Sequence, residues 1–417
     1  MHHFNYKKNQ MYCEDVPLSA IAEEVGTPFY CYSHATLKHH FLTFEKAFEG
    51  MDHLVCFSAK SNSNLAVLGL FASLGGGLDI VSGGELFRGL KAGMPSKKIV
   101  FSGVGKGEEE IAYALESEIL MFNVESFQEL SRIDQCAARC NKKAPVALRV
   151  NPDVDPKTHP YISTGLKKNK FGLNVGAVVE AYKAAQDCAH VDVIGISCHI
   201  GSQVTEVAPF IDALSRIKEL VATLEGLGIA ISYLDLGGGL GITYDQEAPP
   251  HPAEYGKAIM ETLGQAAVTL ILEPGRVIVG NAGILVTGVL YTKEGEEKDF
   301  VIVDAAMNDL VRPSLYDAYH AIQPVIKDEA GSHRADVVGP ICESGDFLAR
   351  DREIPHVQSG DLLAVMSAGA YGFTMSSNYN SRRRVAEVMV QGDQFYVVRK
   401  RETYEDLIRG ESIPPFV

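Results

Sequence analysis

Apolar residues fall along this chain in two alternating textures. Short continuous runs rich in valine, isoleucine, leucine and phenylalanine end in glycine or polar residues: HLVCFSAK, GLDIVSGG, KIVFSG, ILMFNV, VALRVNP, VIGISCHIG, ISYLDLGGG and TLILEPG. Between them lie longer segments such as NLAVLGLFASLG, ESFQELSRIDQCAARC and VAPFIDALSRIKELVATLEGLG, whose apolar residues recur at spacings of three and four, the period of a helix with one buried face. No two of the strand-like runs are close enough for a hairpin. Continuously apolar strands alternating with helices mark a parallel sheet covered by helices, and this number of them predicts an α/β fold with a TIM-like (β/α)8 barrel.

After about residue 280 the texture changes. Runs such as ILVTGVLYTKE, KDFVIVDAAMND, DLLAVMSAGAY and RRVAEVMVQGDQFYVVRK are β-rich, and QGDQ supplies a turn between two alternating strands. We expect a barrel over residues 28–279 and a second, antiparallel β domain over 280–417, joined by the N-terminal segment 1–27. The EEE run at 108–110 reads as a helix start favoured by the macrodipole, and the RRR run at 382–384 as a solvated loop face.

Composition narrows the function classes. A chain of 417 residues exceeds what one core holds, since cores stop growing beyond roughly 250–300 residues. Apolar residues make up 46% and charged residues 22%, an ordinary globular balance. The net charge of −15 leaves no basic field for nucleic acid or an anionic membrane, so an anionic ligand must be held by local groups. Cys13, Cys31, Cys56, Cys136, Cys140, Cys188, Cys198 and Cys342 show no CxxC pairing, which favours free thiols in a reducing compartment and no metal. The N-terminus lacks an apolar signal core, and the greasy stretch Val277 to Tyr291 is too short for a bilayer. These features predict a soluble cytoplasmic protein.

In such a barrel the active site lies at the carboxyl ends of the strands, so the residues closing each run matter most. They are Lys60, Ser82 to Gly84, Asn151, His199 with Ser202, Gly237 to Gly239, and Glu273-Pro274-Gly275-Arg276. Each has a plain structural reading. A strand-end lysine packs its stem and solvates its head, a lone histidine in an apolar strand is commonly a hydrogen-bonded core residue, and Glu273 can pair with Arg276. GVGKG at 103–107 lacks the first glycine and the hydroxyl residue of a phosphate-binding P-loop. Together, however, an amine, an imidazole plane, a carboxylate and glycine turns offering N–H groups to an oxyanion describe a site for pyridoxal 5'-phosphate. The amine condenses with its aldehyde, and a carboxylate near the ring nitrogen keeps that nitrogen protonated.

With those residues in hand, the chain resembles the diaminopimelate decarboxylases of the alanine-racemase-like, fold type III group of pyridoxal phosphate enzymes. The motifs that carry the resemblance are FSAKSNSN, GLDIVSGGEL, HPYISTGLKKNKFG, CHIGSQ, LDLGGGLGI, EPGR, DAAMNDLVRPSLYDAYH, GPICESGDFLA and GAYGFTMSSNYNSRRRVAEV, spread over nearly the whole length. Ser61, where such proteins often carry alanine, is a small departure. The resemblance implies that Lys60 bonds the cofactor aldehyde and His199 stacks on its ring. It implies that Ser202, Gly239 and the backbone of Glu273, Pro274, Gly275 and Arg276 hold the phosphate, with the Glu273 carboxylate on the ring nitrogen. Arg276, Arg312, Tyr316, Glu343 and Tyr371 match positions that hold the distal end of an amino-acid substrate, Tyr371 also lying near the cofactor. Cys342 matches the proton donor, on a loop that enters from the second subunit of a head-to-tail homodimer. The implied reaction takes meso-2,6-diaminopimelate to L-lysine and carbon dioxide, the last step of lysine biosynthesis. Decarboxylation of ornithine, arginine or a carboxylated polyamine on the same scaffold, or a catalytically silent regulatory role, are the rival readings.

Overall fold

The computed structural model describes residues 2–155, 169–264, 266–327 and 331–417. Most of the HPYISTGLKKNKFG motif, His159 to Lys168, therefore lies outside the described residues. The chain divides into two compact units, Lys38–Ile278 and Met1–Leu37 with Val279–Val417.

The first unit is a barrel as expected, but it runs Lys38–Ile278 rather than 28–279: the strand Phe29–Ser33 pairs with Gly283–Lys293 and Ala386–Gln391 and so belongs to the other unit. The barrel's parallel strands are β1 (His53–Ser58), β2 (Gly77–Ile80), β3 (Ile99–Phe101), β4 (Met121–Val124), β5 (Ala144–Asn151), β6 (Val191–Cys198), β7 (Tyr233–Asp235) and β8 (Thr269–Leu272). They pair in sequence order and close when β8 pairs β1, Leu270 facing His53. Every one of the eight coincides with an apolar run read from the sequence. Residues on both faces of these strands are removed from water, which is why the runs lack polar alternation. Cys56, Val100, Met121, Ala147 and Ile271, from five different strands, pack together as a plug. The helices supply the outer layer. Helix Ala208–Gly226 buries Phe210, Ala213, Leu214, Ile217, Leu220 and Leu224, one stripe at helical spacing. Helix Glu108–Glu116 starts on the EEE run as expected, with the Glu110 carboxylate accepting from the backbone N–H of Gly107.

The second unit is mostly antiparallel. Its main sheet runs Phe347–Pro355, Ser332–Val338, Asp299–Val303, Gly283–Lys293, Phe29–Ser33, Ala386–Gln391 and Gln394–Arg399. Two neighbouring pairs are parallel, Asp299–Val303 with Ser332–Val338 and Phe29–Ser33 with Ala386–Gln391. The QGDQ turn joins the last two strands, with Gly392 at φ +60° as its left-handed residue. Phe29, Cys31, Ile284, Val286 and Val388 form the heart of this unit's core. The RRR run is not a solvated face throughout. Arg382 donates to the carbonyl of Asp304, and Arg384 donates to Ser376 Oγ (2.8 Å) and the Phe373 carbonyl (3.0 Å). Carbonyls left over where strands end want donors, and guanidinium groups supply them.

Candidate active site

A cavity of about 170 Å³ opens where the barrel strands end, lined among others by Lys60, Asn123, Arg149, His199, Asp235 and Glu273. Lys60 sits in the short 3-10 turn Ala59–Ser61 that follows β1. Its ammonium bonds to Asp79 Oδ2, and the same oxygen accepts from Ser58 Oγ at 2.5 Å. Asp79 is fully buried on β2, and its other oxygen has no hydrogen-bond partner among the described residues. The lysine side chain retains 35% exposure, so the amine is held at the edge of a wet space.

Glu273, one residue past β8, lines the cavity with Asp235 on β7 and Asn123 on β4. Asn123 Nδ2 donates to Asp235 Oδ2 (2.7 Å), to Ser102 Oγ (3.0 Å) and, more weakly, to Glu273 Oε1 (3.4 Å); Ser102 Oγ also reaches Glu273 Oε1 at 3.2 Å. Gly237 N–H donates to Asp235 Oδ1 at 2.8 Å. Burial, the Asp235 charge and the Asp79 charge push the Glu273 carboxyl well above its ordinary value, and the Lys60 ammonium only partly opposes them. Burial also raises Asp235, to about 6, while the bond from Glu273, the Gly237 N–H and Asn123 favour its anion. Burial and mutual repulsion thus push both carboxyls up, so the pair tends to retain a proton.

His199 follows β6. Its pKa is lowered well below the usual value, first by burial and then by the Arg149 guanidinium and Lys60 ammonium, so the ring is a neutral plane. Gly238 N–H points at its Nδ1, 3.3 Å away. Arg149 on β5 is held by Glu125 (2.8 Å), which also accepts from the N–H groups of Gly103 and Gly172, each at 3.0 Å. Gly237 and Gly239 take φ of +66° and +121°. A Cβ at Gly238 would stand 2.1 Å from the Glu273 carbonyl oxygen, and one at Gly239 2.5 Å from that of Gly201. Only glycines permit this turn to pass so close to β6 and β8. Arg276 opens the short helix Arg276–Val279 and donates to Tyr244 Oη (2.7 Å) and Ser202 Oγ (3.0 Å).

The remaining predicted residues belong to the second unit. Arg312 and Tyr316 begin and end the helix Arg312–Tyr316, and Arg312 is buried. Cys342 is exposed, its backbone N–H donating to Asn380 Oδ1 at 2.9 Å. Glu343 accepts from Tyr379 Oη at 2.8 Å, and Tyr371 holds φ +55°, in the left-handed region.

Lys60, His199 and Glu273, expected from the strand ends, meet around one cavity, and Asp79, Ser102, Asn123, Arg149 and Asp235 join them unannounced. A signal existed. Apart from Ser102, each of these is a charged or amide residue inside an otherwise apolar strand, and polar groups on a fully buried strand are kept for partners or chemistry.

The family model for the pyridoxal binding domain of pyridoxal-dependent decarboxylases matches residues 34–280. The diaminopimelate decarboxylase of Pseudomonas aeruginosa is 55% identical over 99% of both chains, and that of Vibrio cholerae 52% identical over 100% of both. Among solved structures, the diaminopimelate decarboxylase of M. jannaschii in co-complex with L-lysine superposes with a TM-score of 0.95 at 40% identity, covering 100% of each chain. That of Helicobacter pylori complexed with L-lysine gives 0.91 at 44% identity, over 94% of this chain and 98% of the other. With its cavity residues on eight closed strands and this likeness from end to end, the chain belongs to the diaminopimelate decarboxylase family of pyridoxal-dependent decarboxylases.

Proposed function

We propose that the protein removes carbon dioxide from meso-2,6-diaminopimelate to give L-lysine, with pyridoxal 5'-phosphate as cofactor. The observation that carries this reading is the likeness of about half identity over the entire length. The cavity fits the cofactor on its own terms. The carboxyl groups of Asp79, Asp235 and Glu273 gather beside the Lys60 ammonium, and burial with mutual repulsion pushes Glu273 toward its protonated form. A carboxyl so placed suits a ligand whose ring nitrogen can share that proton. Among the described residues Ser197 Oγ, Asn123 Oδ1 and Asp79 Oδ1 are buried without partners, and the glycine turns leave room where any side chain would intrude.

When bound, pyridoxal phosphate supplies an aldehyde that condenses with amines and a ring that accepts the electron pair left behind by departing carbon dioxide. Lys60 would be the residue bonded to that aldehyde in the resting enzyme. Asp79, bonded to its Nζ, aims it. Glu273 would hold a proton at the ring nitrogen, and His199, kept neutral, would lie against the ring without competing for charge. Ser202, Gly239 and the backbone from Glu273 to Arg276 would receive the phosphate, with Pro274 and Gly275 fixing that turn. Arg276, Arg312, Tyr316, Glu343 and Tyr371 would hold the distal amino-acid end of the substrate. A guanidinium grips a carboxylate in two parallel bonds, a match that ornithine and arginine do not offer at that end. The thiol of Cys342 would deliver a proton to the carbon that carbon dioxide has left, its exposure fitting a residue offered to the other subunit of a homodimer. A cytoplasmic setting agrees with eight free thiols.

Two assays test this. Purified protein supplied with pyridoxal phosphate is given meso-diaminopimelate, ornithine or arginine in turn; lysine from the first alone is expected, and preferred turnover of ornithine or arginine would overturn the substrate assignment. Mixing a Lys60→Ala chain with a Cys342→Ala chain should restore part of the activity that neither shows alone. No recovery rejects the shared site.

A further inference from the structure

His320 is fully buried, and both of its ring nitrogens are engaged. Nδ1 lies 2.8 Å from the carbonyl oxygen of Met366, and Nε2 lies 3.0 Å from Arg312 Nη1. A carbonyl only accepts and a guanidinium only donates, so Nδ1 carries the proton and Nε2 presents a lone pair. One neutral tautomer satisfies both neighbours. The backbone beside the ring is fixed as well: Arg352 Nη1 donates to the His320 carbonyl at 2.9 Å with its guanidinium over the Tyr319 ring, and Met366 N–H donates to the Ala321 carbonyl at 2.8 Å. The strands Ile322–Pro324 and Leu362–Val365, which pair with each other, carry these contacts onward. Met366 begins the stretch that leads to Tyr371 in its left-handed conformation. His320 therefore ties the helix of Arg312 to the strand end that runs into Tyr371.

We propose that His320 is a positioning residue that makes the enzyme selective for substrates with a carboxylate at the non-reacting end, by pinning the Arg312 guanidinium before substrate arrives. The inference rests on the assignment of Arg312 to that carboxylate. A long side chain ordered in advance costs the substrate none of its binding energy, whereas a loose one must be ordered during binding. An imidazole lone pair suits the task. It fixes one N–H of the guanidinium without neutralising the charge that the substrate must meet.

The test uses holoenzyme carrying His320→Phe, His320→Gln, His320→Asn or Arg312→Met, with loading judged from cofactor absorbance. For His320→Phe, KM for meso-diaminopimelate and the inhibition constant of L-lysine should rise together by about tenfold or more, the scale of one hydrogen bond to a charged group. The inhibition constant of 1,5-diaminopentane, which is lysine without its carboxylate, should change less than about twofold on the same scale. Glutamine, whose amide reaches the Nε2 position, should recover most of the loss, and asparagine, reaching only Nδ1, should not. If the phenylalanine variant does not fold, the glutamine–asparagine contrast decides alone. Equal weakening of lysine and diaminopentane, or no difference between glutamine and asparagine, overturns the proposal. An Arg312→Met enzyme with unchanged KM would instead overturn the assignment of Arg312, whereas a raised KM there with an unaffected His320→Phe enzyme isolates the failure to His320.

Discussion

Replacing Asp235 by asparagine probes the electrostatics at the barrel centre. Asp235 is completely buried and its pKa rises from an ordinary 3.8 to about 6. Each unit is worth about 1.4 kcal/mol, so the ionised carboxylate costs the cofactor-free protein ~3 kcal/mol once fully charged. The folded protein keeps a proton that the unfolded chain has already released. The contribution of Asp235 to stability therefore falls as pH rises from about 4 to about 6, and stays lower above that. Asparagine cannot ionise and removes this cost. It also sets its amide against Asn123 Nδ2, a conflict worth about 1–2 kcal/mol that rotation of Asn123, whose Oδ1 has no partner among the described residues, relieves in part. The expected outcome is a change of sign. Cofactor-free Asp235→Asn protein should be less stable than the parent at pH 4 and more stable at pH 8, by about 1 kcal/mol each way. Urea unfolding followed by circular dichroism measures this, the chain having no tryptophan to report by fluorescence. Equal destabilisation at both pH values would refute the electrostatic reasoning and leave Asp235 as a support for the glycine turn.

Two further outcomes follow from the same geometry. Glu125→Gln removes the charge that faces buried Arg149 and weakens the bonds from Gly103 and Gly172, so it should cost about 3–5 kcal/mol in urea unfolding, while the pair Glu125→Gln with Arg149→Met should recover most of that; a single variant no worse than the double would count against the buried ion pair. Gly239→Ala places a Cβ 2.5 Å from the Gly201 carbonyl at φ +121°, and should weaken binding of pyridoxal 5'-phosphate by about tenfold or more while affecting phosphate-free pyridoxal much less. Equal weakening of both ligands would remove the turn from the phosphate site.

The barrel was legible because its strands are apolar throughout and each ends in a polar or glycine residue that cannot continue the run. Lys60, His199 and Glu273 stood out for the same reason, as reactive groups at the points where the chain leaves the sheet. Asp79, Arg149 and Asp235 did not, since they lie within the strands and their partners come from neighbouring strands about twenty residues or more away, as Ser58 to Asp79 and Glu125 to Arg149 are. Linear spacing carries no record of such pairings. The solvated reading of the RRR run failed on the same ground: which carbonyls need a donor is set by where distant strands end, as Arg382 on Asp304 illustrates. Phe29–Ser33 joins the second sheet between Gly283–Lys293 and Ala386–Gln391, a non-local pairing that no nearby turn announces.

The amine of Lys60 carries the central claim. Protein loaded with pyridoxal 5'-phosphate, reduced with borohydride and digested should yield one modified peptide, the pyridoxyl group sitting on Lys60 Nζ, and Lys60→Ala protein should yield none. Attachment at another lysine, or none in wild-type protein that still releases lysine and carbon dioxide, would contradict it.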